Sequence, residues 1–292
     1  MKLACALAAA LMMSGPSAAD FHNPLVPQRA DPQVELHSDG YYYYTATVPE
    51  YDRIELRRVK DLNDLGRAEP KVIWRKHDAG LMSANIWAPE IHYIDGRWYL
   101  YFTASRVDAP FDIRLYVLEN PSPNPLEGAW TERGQIKTGW ESFSLDATTF
   151  AIGQQRYLVW TQRPPGAEQH LTAIYMATYS ASATDANYAM GMLTADAGAD
   201  LLDPRSWKKS SVPVLASSAQ NGQYGPGHNG FTTTPDGKQD ILIYHARNYR
   251  DIAGNPLKDP NRNTRAQIIH WRADGTPDFG VPVPDDPAAM LR

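Results

Sequence analysis

Residues 88–104 read "APEIHYIDGRWYLYFTA". A strand-like run reaches Asp95-Gly96, and a second run rich in aromatic residues follows at once. Asp-Gly between two such runs is a strong hairpin signal, because a tight turn needs positive φ. The same phrase occurs three more times: "DPQVELHSDGYYYYTA" from Asp31, "DATTFAIGQQRYLVWTQ" from Asp146, and "HNGFTTTPDGKQDILIYHA" from His228. Fifty-seven residues separate Asp31 from Ala88, and 58 separate Ala88 from Asp146. Four unrelated hairpins would not space themselves so evenly. Each interval has room for four strands, so the natural unit is one blade of a β-propeller.

The spacing then breaks. Taking Tyr44, Phe102, Trp160, Tyr179 and Tyr244 as the ends of second strands gives intervals of 58, 58, 19 and 65. From Asp146 to His228 is 82 residues, where two units would take about 116. A fourth unit is therefore expected with its second strand, "TYSASATDANYAMGML" from Thr178, but without its first. Roughly 35–40 residues are missing before Thr178 by this count. The expected fold class is all-β, a five-bladed β-propeller with an incomplete fourth blade. Helical periodicity is weak; the best candidate, 200–207, is short.

Composition agrees. The 292 residues include 16 Tyr, 8 Trp, 20 Gly and 23 Pro, which suits short strands joined by tight turns. No linker or low-complexity tract divides residues 20–292, so one domain is expected there. Residues 1–19 have Lys2, an apolar run from Leu3 to Met13 and small residues at Ser17-Ala18-Ala19. That is the pattern of a secretory signal peptide, cleaved after Ala19. It places the protein in the periplasm or the medium. The run is too short to span a bilayer. The single cysteine, Cys5, falls inside it, so the remaining chain has no disulfide. The formal charge of -5, or -6 without Lys2, argues against nucleic acid and anionic membranes as partners.

In a propeller the innermost strand of each blade lines the central channel, and the strand starts converge near its axis. Here they bring Asp31, Trp87 to Glu90, Asp146 and His228. Asp31 and Asp146 could simply cap turns, as aspartate often does. Their equivalent places in a repeat favour a shared pocket. Carboxylates beside aromatic rings suit sugar hydrolysis: an inverting glycosidase needs a base for water and an acid for the leaving oxygen, roughly 6.5–9.5 Å apart.

"RADPQV", "ANIWAPEIHY", "SLDATTF", "SASATDANY", "YGPGHNGF" and "DPNRNTRAQ" occur in order. Together they resemble glycoside hydrolase family 43, in particular its secreted α-L-arabinofuranosidase branch. The resemblance implies a five-bladed propeller and hydrolysis with inversion of arabinose-containing oligo- or polysaccharides by a monomer. It assigns Asp31 as general base and Asp146 as the aspartate that orients the acid and keeps its pKa raised. Trp87 would form a wall of the sugar pocket, and Arg265 would contact the sugar or the Asp146 carboxylate. No cofactor is required; His228 would help to hold a structural calcium near the axis through water.

One motif departs. The family's general acid is a glutamate in an "NEGP"-like motif before "TYSASATDANY", and no "EGP" occurs here. Glu168 belongs to a loop of blade three, and Asp185 should face away from the axis. Turnover of natural linkages should therefore be impaired. Three alternatives stay open: a non-catalytic arabinose- or xylose-binding propeller, a β-xylosidase of the same family, and a defective chain without stable function.

Overall fold

Two of the four expected turns are the clearest local features of the computed structural model. Asp95 and Gly96 both take positive φ, 50° and 81°, as a tight two-residue hairpin requires. The turn at Asp39-Gly40 is wider: the Gly40 N–H donates to the His37 carbonyl, and the His37 N–H to that of Tyr41. The structure describes residues 20–166, 173–175, 184–196, 198–201 and 203–288. The expected signal peptide, Glu168 and the junction before Thr178 lie outside the described residues.

Five sheets follow one another along the chain. The first holds β1 (Ala30–Leu36), β2 (Tyr42–Thr47), β3 (Arg53–Val59) and β4 (Lys71–Arg75). The second holds β5 (Ala84–Ile94), β6 (Arg97–Arg106), β7 (Ala109–Asn120) and β8 (Thr131–Gln135). The third has β9 (Ser144–Ile152), β10 (Gln155–Gln162) and β11 (Ala173–Tyr175). The fourth, among the described residues, is only β12 (Leu193–Thr194) paired with β13 (Lys208–Lys209). The fifth holds β14 (Tyr224–Thr233), β15 (Asp240–Arg247), β16 (Asn263–Trp271) and β17 (Pro277–Asp278). Within each sheet the strands pair antiparallel with their sequence neighbours, and the all-β fold sets five such sheets in chain order, as in a β-propeller. Among the described residues of 200–207, the best helical candidate of the sequence, a 3-10 turn forms at Pro204–Ser206.

Side-chain alternation packs the blades together. On β2, Tyr42 and Tyr44 join Ile241, Ile243 and Ala266 of the fifth blade, whereas Tyr43 joins Ile91, Trp98 and Phe102 of the second. The ring closes through the N-terminal segment. Val26 pairs with Thr264, and the Asn23 side chain both donates to the Ala266 carbonyl and accepts from its N–H, at 2.8 and 2.9 Å.

The strand-start repeat corresponds to a backbone device. Asp31, Ala88, Asp146 and His228 all have positive φ, at 51°, 43°, 57° and 47°. None is glycine, and each sits within or beside a register shift of its inner strand. Bulges of this kind re-aim side chains. Three of the four are tied to the preceding blade: Asp31 N–H donates to His245 Nδ1 (3.1 Å), Ala88 N–H to Thr47 Oγ1 (2.7 Å), and Asp146 N–H to Thr103 Oγ1 (3.2 Å). Register corrects the alignment of second strands. Ala30 lies opposite Thr47 as Trp87 lies opposite Thr103, Leu145 opposite Thr161 and Gly227 opposite His245. In the first blade the equivalent phrase is thus two residues later than "YTA".

Thr103 is fully buried, and its hydroxyl is the acceptor for a backbone donor. Thr103→Val keeps the shape and removes that acceptor. Urea unfolding should show a loss of about 1–3 kcal/mol, the cost of an unsatisfied buried amide.

Candidate active site

Asp31 is the most enclosed of the expected residues. Thr47 Oγ1 donates to its Oδ2 at 2.7 Å, and Arg262 Nη1 donates to Oδ1 at 3.0 Å. His228 Nδ1 approaches Oδ1 at 3.5 Å. Burial alone would raise its pKa, but Arg262 and His228 outweigh that and hold the carboxyl well below its ordinary range. His245 supports it differently. Its Nδ1 accepts the Asp31 N–H, and burial pushes its pKa down to about 3, so the ring is neutral with its proton on Nε2. The ring meets Tyr188 edge to face at 5.1 Å.

Asp146 has the opposite electrostatics. Burial, only partly offset by His228, combines with the negative charges of Asp31 and Glu90 to push its pKa up to about 6. The first and third strand starts therefore carry one carboxylate held ionised and one that keeps its proton into the mildly acid range.

Trp87 stands against Tyr51, ring centroids 5.6 Å apart and nearly perpendicular, and the Ile86 N–H donates to the Tyr51 carbonyl. Its indole Nε1 is buried without a hydrogen-bond partner among the described residues. Asn229 Nδ2 and Arg262 Nε share that condition. Buried donors cost stability when left unmatched, so each needs a physical reason.

Arg262 is the residue that sequence reasoning missed. "DPNRNTRAQ" offers two arginines, and the expected one was Arg265. Strand alternation decides between them. Thr264 bonds the Tyr44 hydroxyl of the first blade, and Arg262, two residues earlier, shares that side and reaches Asp31. Arg265 lies opposite Tyr244, which packs toward the fourth blade. Its guanidinium is fully buried and pairs with Asp285 and the Ala246 carbonyl. Arg265, expected at the bound sugar or the Asp146 carboxylate, instead has its charge taken by Asp285 of the C-terminal segment.

The glycines of "YGPGHN" have a physical reason. A Cβ at Gly227 would come within 2.2 Å of the Tyr188 ring, and one at Gly225 within 2.5 Å of the Asp185 carbonyl. "TDANY" therefore lies directly on β14. The Asp185 carboxylate accepts the Asn187 N–H within its own turn, in keeping with a residue that takes no catalytic part.

The surroundings of His228 do not fit a cation held by protein. Its Nδ1 faces Asp31, whose Oδ1 already accepts from Arg262, and a guanidinium repels a metal ion. No group of three or more His, Cys, Asp or Glu able to hold a metal occurs among the described residues. Hard cations require several oxygen ligands.

The sequence matches Glycosyl hydrolases family 43 in two stretches, residues 21–178 and 171–277. The chain belongs to this family. It is 52% identical to an extracellular exo-α-(1→5)-L-arabinofuranosidase of Streptomyces avermitilis, over 309 positions that cover 91% of this chain and 64% of that protein. It is 47% identical to α-L-arabinofuranosidase 43 of Humicola insolens, over 332 positions that cover 99% of this chain and 69% of the relative. The chain thus spans about two thirds of the length of these relatives. Both alignments have more positions than the chain has residues. The crystal structure of an α-L-arabinofuranosidase from Lactobacillus brevis superposes with a TM-score of 0.86 at 46% identity, covering 91% of this chain and 98% of that one.

The Asp146 pKa has a consequence for stability. A carboxyl whose folded pKa is raised to about 6 favours folding below its ordinary value, and that contribution is lost as the pH rises through about 6. Asp146→Asn removes the charge and keeps a residue that tolerates the left-handed backbone. The urea midpoint of the variant should exceed that of the wild type at pH 7.5 and match it near pH 4.

Proposed function

We propose that the chain is a secreted glycoside hydrolase of the α-L-arabinofuranosidase type, with a pocket for a terminal arabinofuranosyl unit of arabinan or arabinoxylan side chains. Asp31 carries the reading. It is a carboxylate kept ionised by Arg262 and His228 at the bulged start of an inner strand, suited to take a proton from the attacking water. Asp146 stands at the equivalent start in the third blade, within reach of the Asp31 charge. Trp87 and Tyr51 supply aromatic surface for a sugar ring. The names of the relatives support arabinose as the sugar, and the name of the Streptomyces protein supports export. Among the described residues, no helix is long and apolar enough to cross a membrane.

The reaction is a single displacement. Water deprotonated by Asp31 attacks the anomeric carbon, the glycosidic bond breaks, and the leaving oxygen needs a proton. We infer that the segment supplying that proton is missing. Three observations support this. The repeat falls short by roughly 35–40 residues before Thr178. The alignment of 309 positions covers only 91% of 292 residues, which leaves about 43 positions of the relative without a counterpart. The family match divides where residues 171–178 are used twice. General acid catalysis contributes about 10²–10⁴-fold and matters most for a poor leaving group.

Purified protein should hydrolyse 4-nitrophenyl α-L-arabinofuranoside and act on arabinobiose at least about 10²-fold more slowly. Asp31→Asn should lower the aryl turnover by about 10²–10⁴-fold while arabinose still binds. Ordinary arabinobiose turnover would refute the missing acid. Binding of arabinose without any aryl turnover would leave a sugar-binding propeller, and preference for the aryl xyloside would move the substrate to xylose.

A further inference from the structure

Thr47 ends β2, is buried, and lies opposite Ala30, next to the bulged Asp31. A threonine hydroxyl has one hydrogen to donate and two lone pairs with which to accept. Both capacities of Thr47 are in use. Its Oγ1 accepts the Ala88 N–H of the second blade at 2.7 Å and lies 2.7 Å from Asp31 Oδ2. A backbone amide can only donate, so the single hydroxyl hydrogen goes to the carboxylate. The Ala88 amide therefore fixes the direction in which the hydroxyl points.

Two residues at the equivalent place in other blades are arranged differently. Thr103 lies opposite Trp87, next to Ala88, whose methyl side chain accepts no hydrogen bond. His245 lies opposite Gly227, and its Nδ1 is taken by the Asp31 N–H. The two oxygens of Asp31 also differ. Oδ1 faces Arg262 Nη1 at 3.0 Å, His245 Nδ1 at 3.4 Å and His228 Nδ1 at 3.5 Å. Among the described residues, the Thr47 bond is the one hydrogen bond that Oδ2 accepts. A carboxylate oxygen has two lone pairs, so Oδ2 retains one for a further donor.

We propose that Thr47 is a positioning residue for the hydrolytic base: its hydroxyl, locked by the Ala88 amide, holds Asp31 Oδ2 so that the remaining lone pair receives the proton of the attacking water. The role rests on the glycosidase reading above. In that step an O–H bond of water breaks and its proton binds Oδ2. The water oxygen bonds to the anomeric carbon as the glycosidic C–O bond breaks, and a nitrophenolate leaving group departs without a proton. Hydrogen bonds to an ionised carboxylate favour the charged form. Thr47 thus acts in the same sense as Arg262 and His228. The charged and titratable groups around Asp31 are Arg262, His228 and His245 of the fifth blade, Tyr51 of the first and Asp146 of the third. Substitution of Thr47 leaves all of them in place.

The test compares Thr47→Val, which keeps the shape and removes the hydroxyl, with Thr47→Ser, which keeps both bonds. On 4-nitrophenyl α-L-arabinofuranoside, the valine variant should lose about 10–100-fold in kcat, the worth of one hydrogen bond to a charged group, with little change in KM. Serine should regain most of that loss. The Ala88 amide is left unmatched by valine, so Thr47→Ala, with room for a water at the amide, is the second variant and should show the same loss in kcat. Carbon-13 NMR of the aspartate carboxyls, with Asp31 assigned from Asp31→Asn, supplies a measurement that needs no turnover. The Asp31 titration should move up toward the ordinary carboxylate range in the valine and alanine variants and stay low in the serine variant. An unmoved titration, or a rise in KM with kcat retained, would overturn the proposal. A moved titration in a chain without aryl turnover would support the bond between Thr47 and the carboxylate and overturn the hydrolase reading instead.

Discussion

The bond from the first bulged residue of one blade to a side chain of the blade before it is the constraint on which both ring and pocket depend. A positive φ at a non-glycine residue is strained, and it persists where surrounding structure holds it. Here the amide of that residue is satisfied by Thr47, Thr103 or His245, at the end of the neighbouring blade's second strand. The bond therefore ties adjacent blades at the channel mouth. It also turns the bulged residue so that its side chain, Asp31 or Asp146, meets the others near the axis. Packing of Tyr43 against Trp98, or of Tyr44 near Thr264, sets the blade spacing but does not aim the carboxylates.

That constraint explains the opposed electrostatics of two residues at equivalent positions. Asp31 follows the fifth blade, whose neighbouring strands bring His245 and Arg262 to its side. Asp146 follows the second blade, whose contribution is a neutral threonine hydroxyl. The same backbone device thus yields an ionised carboxylate and one with its pKa raised to about 6, because the flanking blades differ in charge. Separation of this kind between paired carboxyls is a mark of catalytic sites.

Much of this was legible in the sequence. The Asp-Gly turns and the spacing of Asp31, Ala88 and Asp146 gave the blades, since the positions predicted as strand starts all share the left-handed backbone. The aspartates and Trp87 followed from that spacing. Arg262 did not, because its role depends on which face of β16 looks toward the first blade, and neither face has a run of apolar residues to mark it. Arg265 was misread for the same reason. Only register across β15 shows that it shares the side of Tyr244 and meets Asp285. On β2 the residue equivalent to Thr103 is Thr47, opposite Ala30, and the "YTA" phrase two residues earlier only resembles "FTA".

The shortened fourth unit bears on the ring as well as on the chemistry. The series of inter-blade bonds runs from the fifth blade to the first, from the first to the second, and from the second to the third. Thr161 occupies the next position in register, opposite Leu145 as Thr103 is opposite Trp87. Its counterpart would be the first residue of a fourth inner strand, which the repeat count omits. In the fifth blade, β14 instead receives the "TDANY" turn, with Tyr188 over Gly227 and Arg247 donating to the Thr184 carbonyl. The walls around Asp31 are built by the first, second and fifth blades, and these are complete. On the reading proposed above, a loss confined to the fourth removes the proton donor and leaves Asp31 and Trp87 in place, so that binding and proton donation depend on different blades of one ring.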